Sequence, residues 1–144
     1  MNIFCSYAFT GEKESDVAGR MEVTVNALTE AGHHAYCPLF DPQKNNIQGE
    51  PIKGIFEYVL PRIAEADALL VVVPSPRRSE GQLIEVGAAL MLQKPVYLFQ
   101  HASAAAAPSH LPKLATQTYV WDDLEDLANK LIKVESKVLT PQVS

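Results

Sequence analysis

The sequence is poor in cysteine: Cys5 and Cys37 are the only two among 144 residues, and no C-x-x-C occurs. A disulfide scaffold and a zinc ribbon are thereby excluded, and two buried, reduced thiols are the expectation. Four histidines occur without an H-E-x-x-H arrangement, so neither a metal nor a cofactor is expected. His33 and His34 read as the start of a strand. Long hydrophobic runs are also missing; the longest, such as ALLVVV, are too short to span a bilayer, and no membrane partner is expected. The opening MNIFCSYAF lacks the charged segment of a secretory leader, which points to the cytoplasm. Basic residues number 12 against 17 acidic ones, giving a formal net charge of −5. That balance excludes a general nucleic-acid binder. It leaves room for a small anion, because Arg77 and Arg78 stand side by side.

A hydrophobic fraction of 47% and a charged fraction of 20% describe a soluble globular chain long enough for one well-filled core. A single domain over 1–136 is expected, with a frayed tail at 137–144. Two hydrophobic periods alternate along it. NIFCSY (2–7) reads as a buried strand. Residues 15–31 place Val17, Met21, Val25 and Leu28 at helical spacing, with Ser15 as N-cap and Gly32 as the stop. HHAYCP (33–38) reads as a second strand. The loop LFDPQKNNIQGEP is long enough to suggest a functional role. A helix is expected over 52–65, with Ile52, Ile55, Phe56, Val59, Leu60 and Ile63 on one stripe and a kink or break at Pro61. ALLVVVP (68–74) is a strand covered on both faces. A helix at 80–93, a strand at 94–100, a flexible flap HASAAAAPSHLPK, a strand at 117–123 and a closing helix at 124–136 complete the chain.

Five alternations of strand and helix define an α/β fold: a doubly wound, flavodoxin-like, five-stranded parallel sheet with helices on both faces. Such sheets bind ligands beyond the carboxyl ends of their strands, so the loops at 7–14, 39–50 and 74–81 carry the candidate site. In the third, Ser79-Glu80-Gly81-Gln82 has the capping-box pattern. A helix start is also an anion site, with Gly81 admitting a ligand to the backbone and Arg77 and Arg78 supplying forked donors. Capping and anion binding are both compatible with these residues. Glu85 lies one to two turns further, among apolar and small neighbours, with Gly87 allowing close packing. It is either a solvated outer position or a carboxylate at the cleft. Ser6 and Tyr7 end the first strand, where hydroxyls either contact a sugar or form a turn. Asp41-Pro42 starts a turn or sets a carboxylate at the rim. Asp67, at the amino end of the third strand, reads as structural.

The stretch EADALLVVVP…SEGQLIEVGAALMLQKPVYLF resembles the signature of the nucleoside 2-deoxyribosyltransferase superfamily, which includes the 2′-deoxynucleoside 5′-phosphate N-hydrolases. The matching residues are Ala66-Asp67, Ser79, Gly81, Glu85, Gly87 and Lys94-Pro95, and the opening IFCSY and the late VWDDLEDLANKL extend the likeness over most of the chain. The resemblance implies a nucleotide or nucleoside substrate and a homo-oligomer. It assigns Glu85 as the nucleophile that attacks the anomeric carbon and Ser79 to the 5′-phosphate, with Arg77, Arg78 and Gly81 completing the cradle. Ser6 and Tyr7 would line the sugar or base pocket. One departure stands out: the family's helix aspartate falls on Val59, which leaves Glu57 or Asp41 as the candidate general acid. A second likeness, of IFCSYAFTGE to the opening of TIR domains, implies NAD cleavage or self-association instead.

Overall fold

A computed structural model of the chain describes residues 1–43 and 52–134. Five strands, β1 (Asn2–Tyr7), β2 (His34–Tyr36), β3 (Ala68–Val73), β4 (Val96–His101) and β5 (Gln117–Trp121), form one sheet in the order β2-β1-β3-β4-β5. Every pairing is parallel. Four longer helices, α1 (Glu14–Glu30), α2 (Ile52–Glu65), α3 (Glu80–Met91) and α6 (Leu124–Ile132), cover the sheet, and two single-turn helices, α4 (Ala102–Ala105) and α5 (Leu111–Leu114), lie between β4 and β5. The expected doubly wound fold is the observed one. The tail 137–144 and most of the loop after Gln43 lie outside the described residues.

The pleat sorts the core into two layers. Ile3, Cys5, Leu70, Val72, Tyr97 and Phe99 face α1 and α6, meeting Val17, Met21, Leu28, Leu127 and Leu131. Phe4, Leu69, Val71, Val73 and Leu98 face α2 and α3, meeting Val59, Ile63, Val86 and Ala89. All six residues of β3 are buried, which is why its sequence is uniformly apolar rather than alternating. Cys5 and Cys37 are buried free thiols. Asp67 accepts from the backbone N–H of Asn2 at 2.8 Å while its own N–H bonds the Asn2 carbonyl, stitching β1 to the start of β3.

Local signals were mostly obeyed, and the exceptions have causes. Gly32 ends α1 at φ +94°, a left-handed backbone that suits glycine, with the following amide returning to Leu28. The cap at the other end is Lys13, with no side-chain bond; the Lys13 carbonyl already accepts from Val17, so Ser15 lies inside the first turn. Helix α2 runs unbroken through Pro61. Pro61 and Glu57, whose carbonyl the missing N–H would have bonded, are both solvent-exposed, so water can satisfy the orphan. Strand β2 is three residues rather than six, because a 3-10 turn at Pro38–Phe40 bends the chain over the sheet edge. Gly87 is exposed with open space at its Cβ position, so it does not serve close packing.

Candidate active site

The carboxyl ends of β1 and β3 part company where strand order reverses, and the side chains there form one connected site. Helix α3 starts at this point because Ser79 caps it: its Oγ accepts from the Gln82 N–H at 3.3 Å. Gln82 does not complete a capping box. Its buried carboxamide donates instead to the carbonyls of Val72, at 2.8 Å, and Ser6, at 3.4 Å. The carboxyl ends of β1 and β3 are thus tied to the first turn of α3. This fixes the phase of the helix and turns Glu85, three residues on, toward the end of β1.

Ser6 donates to Glu85 Oε1 at 2.6 Å, a short bond that joins the end of β1 to the second turn of α3. Burial raises the Glu85 carboxyl from its ordinary 4.5 to about 7, and the Ser6 hydroxyl partly opposes that rise by stabilising the charged form. The other oxygen, Oε2, has no hydrogen-bond partner among the described residues. Glu85 forms part of the wall of a cavity of about 630 Å³. Tyr7, Phe9 and Thr10 bound it from the loop after β1; Arg78, Ser79, Glu80, Gly81 and Ile84 from the start of α3; Ile55, Phe56, Tyr58 and Val59 from α2. Tyr7 stands near enough to Glu85 for the carboxylate to help hold its phenol in the neutral form, after burial, the larger cause, and the influence of Cys37.

Asp41 lies behind this wall. Tyr36 donates to its Oδ2 at 2.7 Å, Tyr58 makes a very short bond to the same oxygen, and the Gln43 N–H bonds Oδ1 at 2.9 Å. Tyr58 above all, then Tyr36 and the Gln43 amide, hold the Asp41 carboxyl below its ordinary range. Arg62 adds a 3.9 Å ion pair and covers the Tyr58 ring at 3.5 Å. Asp41 is thus an ionised anchor for an aromatic wall and has no proton to give near neutrality. Glu57 is exposed and faces Lys53 at 4.0 Å, one turn back on α2, and it does not line the cavity. Val59, which does, is 95% buried. Neither proposed acid therefore shares the cavity with Glu85, because α2 turns Tyr58 and Val59 inward and Glu57 out.

The two arginines separate. Arg78 borders the Glu85 cavity, whereas Arg77 reaches across the surface to the loop after β1. There its guanidinium bonds the Gly11 carbonyl and approaches Glu12 at 3.8 Å, while Glu12 also meets Arg20 at 4.0 Å and accepts from Ser75 at 3.3 Å. Gly11 has φ +79°, and a Cβ there would strike the Arg77 guanidinium. Gly11→Ala should therefore destabilise the protein by about 1–2 kcal/mol. A thermal melt checks this: the midpoint should drop by several degrees, and an unchanged midpoint would show that the loop pays no such strain. Among the described residues, no cluster of three or more His, Cys, Asp or Glu is placed to hold a metal, and no helix is long and apolar enough to cross a membrane.

Sequence reasoning missed Phe9, Tyr58, Glu80 and Ile84 as wall residues. The α2 stripe was legible, but its members Ile55, Phe56 and Val59 looked like core, and Tyr58 stood outside it; only their position past the sheet end, which periodicity does not encode, puts them on a cavity.

A doubly wound sheet with a half-buried carboxylate at its switch point and a helix start beside it places a candidate ligand site where such α/β folds bind small molecules. The family model for nucleoside 2-deoxyribosyltransferase matches residues 4–135, and the chain belongs to that family, whose members are N-glycosyl hydrolases and transferases. It is the first of the two families that the sequence resembles. No curated protein matches the sequence. Among solved structures, the chain is similar to the CMP N-glycosidase of Clostridium botulinum, at 17% identity and a TM-score of 0.64, over 91% of this chain and 97% of that one. It is similar also to a 2-deoxyribosyltransferase from Bacillus psychrosaccharolyticus, at 19% and 0.68, over 96% of each. A flavoenzyme NAD(P)H:acceptor oxidoreductase from Paracoccus denitrificans shares the fold at 13% and 0.50, over 94% of this chain and 81% of that one. At such identities the likeness speaks for the fold, which hosts several chemistries.

Proposed function

We propose that the protein cleaves the base–sugar bond of a nucleotide or nucleoside, with Glu85 as the nucleophile. The observation that carries this reading is the Glu85 carboxylate itself, on the wall of the cavity and held by Ser6 at 2.6 Å through one oxygen only. Oε2 attacks the anomeric carbon; the C1′–N bond breaks, its electron pair leaves with the base, and the base takes a proton from water. Water then hydrolyses the glycosyl ester, or a second base displaces it in transfer. Ser79, Gly81 and Arg78 would receive a 5′-phosphate at the start of α3, and Ser6 and Tyr7 would border the sugar. Family membership supports the class of reaction.

A second reading has its own support. By the resemblance, the family's helix aspartate falls on Val59, which lies on the cavity wall, and neither Glu57 nor Asp41 lines that cavity, an arrangement that suits binding of a nucleotide without turnover. One experiment separates the two. Ribo- and deoxyribonucleoside monophosphates, free nucleosides and NAD are incubated with the protein and with its Glu85→Gln variant, and released base is measured. Release that vanishes in the variant establishes the N-glycosidase. No release from any, with thermal stabilisation by one of them, establishes the binding module. The carboxyl end of α3 carries Leu90, Met91 and Leu92 in the open, Met91 at 85% exposure, which supports the expected homo-oligomer in solution.

A further inference from the structure

A second cavity, of about 420 Å³, lies on the other side of the α3 start, between the end of β3 and the segment joining β4 to β5. Arg78 and Ser79 border both cavities, so the two meet at the residues that would receive a 5′-phosphate. We propose that this second cavity holds the distal phosphate of a substrate carrying a pyrophosphate on its 5′ carbon. The inference takes the sugar's position from the N-glycosidase reading.

Three observations carry it. First, the lining is one-signed: Arg77, Arg78, His110 and Lys113 contribute to it, and no aspartate or glutamate does. Arg77 is spoken for by Gly11 and Glu12, but the side chains of Arg78 and Lys113 make no ion pair or hydrogen bond among the described residues. Second, Gln100, at the carboxyl end of β4, is only 7% exposed and borders the cavity, and its carboxamide makes no hydrogen bond among the described residues. Its amide atoms are therefore open to the cavity rather than sealed in the core, where the NH₂ can donate to a phosphate oxygen. Third, a single phosphate at Ser79 would leave all of this volume empty. The segment that carries His110 and Lys113 is therefore more than a flexible flap. Its helices α4 and α5 frame a wall of this cavity.

The test measures binding and turnover separately. The Glu85→Gln protein is titrated calorimetrically with adenosine, cytidine, guanosine and uridine 5′-monophosphates and diphosphates, their deoxy counterparts, and NAD. One diphosphate should bind about tenfold more tightly than its own monophosphate, the gain expected of one added charge-assisted contact set. Adding Lys113→Ala, or Gln100→Leu, should bring the two within about threefold of each other and leave the monophosphate Kd unchanged. A cooperative melt of Gln100→Leu close to the parent midpoint shows that it folds. NAD binding as well as the diphosphate would identify a pyrophosphate bridge, and weaker binding a free terminal phosphate. Equal affinity for mono- and diphosphates, or a preference that survives both substitutions, overturns the proposal. Diphosphate preference without base release by the wild-type protein would uphold this cavity and remove the N-glycosidase reading. Base release with the same KM from a monophosphate and its diphosphate would do the reverse.

Discussion

Glu85→Gln should abolish base release and at the same time make the protein more stable. The two effects have one origin. Burial raises the Glu85 carboxyl from 4.5 to about 7, so the folded protein resists the charge that the nucleophile needs. Between those two values the folded state holds more protons than the unfolded one. Stability contributed by this site is therefore greatest below pH 4.5, declines as pH rises, and reaches its full penalty above pH 7. The interval corresponds to a penalty on the order of 3 kcal/mol. Glutamine keeps the shape, can still accept from Ser6 through its carbonyl, and never ionises. The variant should melt roughly 5–10 °C above wild type at pH 8 and at about the same temperature near pH 4. Base release should fall by about three orders of magnitude or more, since an amide cannot form the glycosyl ester. Thermal melts at the two pH values and a single-substrate assay check both halves. A variant that is equally active would end the case for Glu85 as nucleophile. One that is inactive without the pH-dependent stabilisation would show the carboxylate to be better solvated than its surroundings indicate.

The sequence carried the fold further than it carried the site. Strand β3 could be read from ALLVVV alone because burial on both faces removes every polar residue, and the alternation around it left little choice of topology. Glu85 stayed undecided on pattern alone, since a carboxylate among apolar residues suits both a solvated face and a cleft. What decides its direction is Gln82, whose long-range bonds to Val72 and Ser6 set the phase of α3. A capping-box pattern concealed that role, since the same glutamine serves a local cap or a distant carbonyl. Asp41 and Glu57 were chosen as carboxylates near the cleft, but proximity in sequence says nothing of rotation about α2. One position separates Glu57 from Tyr58, and that step turns an acid to solvent and an aromatic to the cavity. The second cavity was hidden for a different reason. Alanine-rich segments carry no periodic signal, and Gln100 looked like an ordinary strand terminus, whereas its side chain borders the second cavity.

Activity should rise with pH through about 7, and Ser6→Ala should move that rise upward. The nucleophile is the ionised form of Glu85, so kcat/KM of the free enzyme follows the fraction ionised: proportional to that fraction below pH 7, level above it. Ser6 donates to Oε1, and its hydroxyl is the one hydrogen bond that favours the charged form against burial. Without it the carboxyl titrates at higher pH, and at pH 7 a smaller share of the enzyme is competent. Loss of a charge-assisted bond also frees the carboxylate to turn, so activity on the alkaline plateau should fall by about tenfold as well. The two consequences are separable. Loss of orientation lowers the plateau and leaves the midpoint where it was; loss of charge stabilisation moves the midpoint and leaves the plateau. The hydrogen bond does both, whereas a serine that only packs against α3 does neither. Ser6→Thr, which keeps the hydroxyl, should hold the wild-type midpoint. A profile of kcat/KM from pH 5 to 9 for the three proteins decides among these, and a flat wild-type profile across pH 7 would place the reacting carboxylate somewhere other than Glu85.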